Sequence, residues 1–206
     1  ILALLKQWNG PLVRRYYTPS SRNPVFQIVT DACPWGTGGV LYVQGVPVSC
    51  FADRLSSADM RRFNAQLGDP KFNTLWELLA ILVALRIWIP QLSGLSLVQI
   101  RSDSHGSLSS LRKLGSGCTH MSLILAEIAL DDAVANASLE LHHIPGVSNV
   151  LADCLSRLFA PKPKTLPPEL SHVQMVPCPP RDHKFWVTAR SPPRKRCPQP
   201  SLRQKG

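Results

Sequence analysis

Four acids stand where a carboxylate is awkward. Asp31 ends the apolar run VFQIVTDA just before a glycine-rich turn, and Asp103 ends a second apolar run, LSLVQIRSD. Glu77 sits inside TLWELLAILVALRIW and is the only acid between Asp69 and Asp103. Asp153, in NVLADCLSR, lies beside the helical stripe Val150, Leu151, Cys154, Leu155 and Leu158 rather than on it. Burying an ionised carboxylate without a partner is costly, so each placement asks for a cation. If the four converge, they form a set of hard oxygen ligands suited to Mg²⁺ or Mn²⁺ and not to zinc. Such a set fits two ions roughly 3.5 to 4 Å apart and hydrolysis of a phosphodiester.

Each acid also has a plainer account. Asp153 and Arg157 are four residues apart and can pair on a helix surface. Thr74-x-x-Glu77 fits a capping box, in which Glu77 reaches back to a helix-start donor. Asp31 could open an Asx-turn, and Asp103 could cap the helix that begins at SHGSL. Any one of these suffices alone; all four together are less economical than a shared site.

The elements that must position these groups are legible from periodicity. Residues 25–32 read as a buried strand, and VLYVQGVPVSCFAD adds two more strands hinged at Gln44 and Gly45. Residues 57–67 suit a short helix, and TLWELLAILVALRIW is apolar nearly all round, as a deeply packed helix should be. A strand over 95–103, two helices in SHGSLSSLRKL and HMSLILAEIALDDAVA, a strand over 138–144 and a last helix capped through Ser148 complete the series. The order predicts an α/β fold, a mixed five-stranded sheet flanked by helices. Open α/β sheets carry their sites beyond strand carboxyl ends, where Asp31 and Asp103 fall.

Composition bounds the rest. Of the net charge of +10, residues 160–206 carry ten Lys or Arg against two acids, and eleven of the nineteen prolines also lie there. That segment reads as a Pro-rich basic tail, disordered for want of apolar residues to bury. It suits phosphate backbones or a plain solvated linker. Residues 1–24 read as a connector from a preceding region. No uninterrupted apolar run reaches the roughly 18 residues of a membrane span, so no membrane partner is expected. Six scattered cysteines without a C-x-x-C pair, and no signal peptide, suggest reduced thiols and an intracellular, cytoplasmic or nuclear, protein rather than a secreted one.

In order and context, IVTDACPWGTGGVL, WELLAILVALRIW, IRSDSHGSL and HIPGVSNVLADCLSR resemble the type 1 ribonuclease H domain of retrotransposon polymerases over residues 25–159. The last motif has the form H-x-P-G-x-x-N-x-x-A-D-x-L-S-R. Integrases and transposases place Glu on the last helix, and proofreading exonucleases carry D-x-E in the first strand, so the order of acids excludes both. The resemblance implies a ribonuclease H-like fold and cleavage of the RNA strand of RNA/DNA hybrids, leaving 5′-phosphate and 3′-hydroxyl ends. It implies two Mg²⁺ or Mn²⁺ ions held by Asp31, Glu77, Asp103 and Asp153, with Asp31 bridging them. It also implies an upstream reverse transcriptase domain in the same polyprotein. His143, ten residues before Asp153, is the candidate for proton transfer or product release; a strand-end histidine is otherwise simply hydrogen-bonded. Gly36, Thr37, Gly38, Ser104 and Asn149 are the candidate nucleic-acid contacts, although hairpin glycines and a helix-start Asn need no function.

Two features depart from the family. The Asp53 to Glu77 stretch is long, and only Arg101, Arg112 and Lys113 supply Lys or Arg between the second and last helices, so the basic protrusion of cellular enzymes is absent. The competing expectation is a non-catalytic nucleic-acid-binding or scaffolding relic of the same fold.

Overall fold

β-branched and apolar runs make the strands, and parallel pairing brings the ends of the important ones to one edge. In the computed structural model, residues 25–92, 96–134 and 137–188 are described. The expected connector, 1–24, and the end of the tail, 189–206, lie outside them. Strands β1 (Val25–Cys33), β2 (Gly36–Val43) and β3 (Val46–Arg54) form an antiparallel meander. The β2–β3 hairpin turns on Gln44 and Gly45, both at positive φ, as the twist of a two-residue hairpin requires. Strands β4 (Ser96–Ser102) and β5 (Ala137–His143) add in parallel beside β1. The sheet order is β5-β4-β1-β2-β3-β6.

The sheet has two differently covered faces. On one face lies α2 (Asn73–Trp88), its side chains buried on nearly every side, with α1 (Ser57–Phe63), α3 (His105–Lys113) and α4 (Thr119–Val134) packed around it. With its flanking turns α2 extends over Pro70–Gln91, 22 residues and apolar enough by length and composition to cross a membrane, although Lys71, Glu77 and Arg86 interrupt the apolar run. Because 72% of that window is buried inside the domain, the run is accounted for as core. On the other face, α5 (Val150–Ser156) seats Leu155 on Val40 and Cys50. The α5 start carries no side-chain cap, neither from Ser148 as expected nor from Asn149, which occupies the capping position.

The expected disordered tail is corrected over residues 160–188, which return across the domain as a strap. Leu170 joins the α5-side cluster, and Gln174–Met175 adds a short sixth strand, β6, parallel to β3, so the five-stranded expectation falls one short. Arg181, with its side chain 6% exposed, pairs with Asp53 and with Asp59 at 2.7 Å. Phe185 and Trp186 enter the main core, where Trp186 meets Phe63 edge-on at 5.6 Å and Arg62 lies over its ring. The strap's end is pinned by Glu127, which is fully buried: it accepts from Arg86 at 2.7 Å and from the backbone of Val187 and Thr188 at 3.1 and 2.7 Å. Proline content argued for disorder, but these well-placed anchors offset the ordering entropy.

Trp186 is 1% exposed, so Trp186→Ala removes a large buried side chain and leaves a cavity. The expected loss is about 3–5 kcal/mol of folding stability, a fall in Tm of roughly 10 °C. Thermal unfolding followed by circular dichroism measures it, and an unchanged Tm would contradict the packed strap.

Candidate active site

Since β1 and β4 are parallel neighbours, Asp31 near the end of one and Asp103 just past the end of the other face the same edge. Helix α2 crosses beneath and contributes Glu77. One carboxylate oxygen from each of Asp31, Glu77 and Asp103 lies within 4.8 Å of the others. Asp31 and Glu77 are 5% and 7% exposed, whereas Asp103 opens toward solvent.

Each acid is held by identifiable donors. Glu77 accepts from the Ala32 backbone N–H at 3.1 Å and from Ser102 Oγ at 3.4 Å. It does not act as the capping-box acid, because α2 begins without a side-chain cap. Asp31 accepts from Ser156 Oγ at 2.5 Å, and Asn149 Nδ2 lies 3.4 Å from Asp31 and 3.5 Å from Asp103. The helix cap at α3 is Ser104, whose Oγ accepts from the Ser107 N–H, so Asp103 is not needed for that task. Among the described residues no ion pair involves Asp31, Glu77 or Asp103.

Electrostatics make this corner a receptor for positive charge. Burial, with the Asp103 and Asp153 charges added, pushes Asp31 up to about 7 despite the Ser156 hydrogen bond. Burial followed by the charges of Asp31 and Asp103 raises Glu77 well above the usual carboxylate range. Asn149 is 1% exposed, donates to the Thr30 carbonyl at 3.1 Å, and leaves its buried Oδ1 without a partner among the described residues. Three convergent carboxylates and an unsatisfied amide oxygen beside them fit a hard divalent cation, with Asp31, Glu77 and Asp103 as the residues that would hold it.

Asp153 stands apart from the triad. Its Oδ1 accepts from Arg157 Nε at 2.5 Å, the helix pair that the plainer account anticipated, and its Oδ2 accepts from Lys164 of the strap. Burial alone raises this carboxyl, but the hydrogen bonds from Lys164 and Arg157 outweigh it and hold Asp153 below its ordinary value.

The expected nucleic-acid contacts fare differently. A Cβ on Gly38 would meet Ser156 N at 2.5 Å, and one on Gly36 would meet Ser156 O at 2.7 Å. These glycines admit the α5 backbone onto β2. Thr37 is 1% exposed, which also removes its side chain from the surface. The Ser104 hydroxyl is engaged in the α3 cap, and Asn149 faces the carboxylates from inside. His143 is exposed, its Nε2 3.2 Å from the Asp103 carbonyl, and its ring stacks on His105 with centroids 3.6 Å apart. Sequence reasoning missed His105 and Ser156; the second serves Asp31 from within the A-D-x-L-S-R motif, a signal that was available.

No family model and no curated protein matches the sequence. Among solved structures, RNase H1 from the halophilic archaeon Halobacterium salinarum NRC-1 is similar with a TM-score of 0.50 at 16% identity, over 64% of this chain and 93% of that one. LC11-RNase H1 in complex with an RNA/DNA hybrid gives 0.49 at 17% identity, over 65% and 93%. The N-terminal RNase H domain of a Mycobacterium tuberculosis protein gives 0.45 at 12%, over 65% and 95%. On the first of these the chain has a ribonuclease H-like fold, and at such identity the likeness is one of fold.

Between pH 4 and 7 the folded, metal-free protein retains a proton on Asp31 that the unfolded chain has released, since the usual value is 3.8 and the folded one about 7. Stability therefore falls as the pH rises through that window. Asp31→Asn removes this effect: in chelator at pH 7 its Tm should exceed the parent's by about 5–10 °C, from roughly 2–4 kcal/mol, with no gain at pH 4. Calorimetry at the two pH values decides, and equal Tm values at pH 7 would contradict the burial of an unpaired carboxylate.

Proposed function

We propose that this domain is a Mg²⁺- or Mn²⁺-dependent endoribonuclease that cleaves the RNA strand of RNA/DNA hybrids, as part of a retroelement polyprotein with a reverse transcriptase upstream. The observation that carries the enzymatic part is the buried triad Asp31, Glu77 and Asp103 at the carboxyl edge of β1 and β4, on a ribonuclease H-like fold. The hybrid as substrate and the retroelement setting rest on the motif order and on the H-x-P-G-x-x-N-x-x-A-D-x-L-S-R signature. An intracellular location accords with free Cys33, Cys50, Cys118, Cys154 and Cys178.

The chain's own groups divide the work. Asp31, Glu77 and Asp103 would hold the cation, Ser156 and Asn149 fix the direction of the Asp31 carboxylate, and Asp153, now paired with Arg157 and Lys164, would be the fourth carboxylate. A divalent ion, when bound, supplies Lewis-acid neutralisation of phosphoryl charge and acidifies water near neutral pH. His143 donates through Nε2 to the Asp103 carbonyl, which leaves Nδ1 as the basic nitrogen at the rim for a proton in transit.

Incubated with a labelled RNA/DNA hybrid and Mg²⁺, the full chain should cut the RNA strand and leave 3′-hydroxyl ends, and chelator should abolish cutting. Asp31→Asn or Asp103→Asn should lower the rate by roughly 10²-fold or more, the worth of several kcal/mol of charge stabilisation. Salt-sensitive hybrid binding without any cleavage would instead support a non-catalytic relic.

A further inference from the structure

Among the four acids the partners are unevenly distributed. Asp31, Glu77 and Asp103 have no ion pair among the described residues, whereas both oxygens of Asp153 are engaged by cations. An ion entering the triad displaces no side-chain cation, only the protons that burial keeps on Asp31 and Glu77. One that needs Asp153 must first remove a positive charge already seated there.

The two cations on Asp153 are not equivalent. Arg157 lies one turn along from Asp153, and its Nε takes Oδ1 from that fixed spacing. Lys164 takes Oδ2 and comes from outside the helix, on the strap segment between Phe159 and Leu170. That segment carries Pro161, Pro163, Pro167 and Pro168, and it is anchored downstream by Leu170, which is 6% exposed and packed with Leu155 and Val40. The stiffened and anchored chain keeps the ammonium close to Asp153, a high effective concentration. Lys164 is itself 49% exposed, and an ammonium is a compact charge on a flexible stem, so it can leave for water without a buried vacancy.

We propose that Lys164 controls the affinity for the second divalent ion, as a resident cation on Asp153 that must be displaced before that ion binds. The proposal rests on the metal-centre reading of the triad. It makes the first ion independent of the strap and the second dependent on it.

Mn²⁺ titration of the full chain, with free Mn²⁺ read by electron paramagnetic resonance and heats by calorimetry, separates the two ions. Wild type, Lys164→Gln and Lys164→Arg should bind the first Mn²⁺ equally. Lys164→Gln should tighten the second by about fivefold, the scale of an exposed ion pair, and Lys164→Arg should return it toward the wild-type value. A second ion indifferent to Lys164→Gln, or a change confined to the first, would overturn the role of Lys164. One tight ion with no second in any of the three proteins would overturn the proposal alone, and absence of a tight ion in all three would overturn the metal-centre reading and the proposal with it.

Discussion

Asp31 and Glu77 share one corner of an otherwise apolar interior, with Asp103 at its mouth. Like charges within 4.8 Å in a desolvated place repel, and the strands and helices around them are arranged to hold them there regardless. The parallel β1–β4 pairing aligns two strand ends. An all-round apolar α2 is packed tightly enough that Glu77 cannot swing away, and the Ala32 N–H fixes its carboxylate. A protein that keeps three acids in such a position stores free energy that a bound divalent cation would release.

The second helix that serves this corner approaches from the opposite face. It depends on Gly38, where a side chain would collide with the backbone of Ser156 and Ala152. With that approach come Ser156, the closest donor to Asp31, and Asn149, whose amide lies between Asp31 and Asp103. One short helix thus seats itself by Leu155 and delivers the groups that orient the carboxylates. The strap then closes the circle, since Leu170 packs against the same small cluster and Lys164 reaches Asp153.

Much of this was legible in the sequence because acids in apolar runs are conspicuous. Asp31, Glu77 and Asp103 were marked by their surroundings, and the strand and helix order followed from periodicity. Asp153 was harder: an acid four residues before an arginine satisfies two accounts, and the helix pair is the one its present contacts display. The glycines stayed open because a glycine records only that something comes close, and the neighbour seen against Gly36 and Gly38 is the last helix. The strap was hidden by composition. Its prolines dominate any average, whereas order there depends on a few particular residues, Arg181 between two acids and Phe185 and Trp186 in the core. Such long-range anchoring leaves no periodic trace.

Diffraction from crystals of the full chain soaked in Mn²⁺ at neutral pH, with anomalous data collected at the manganese edge, tests the metal centre most directly. The expected result is an anomalous peak at coordinating distance from Asp31, Glu77 and Asp103 together. Peaks elsewhere on the molecule with none at that corner would contradict it.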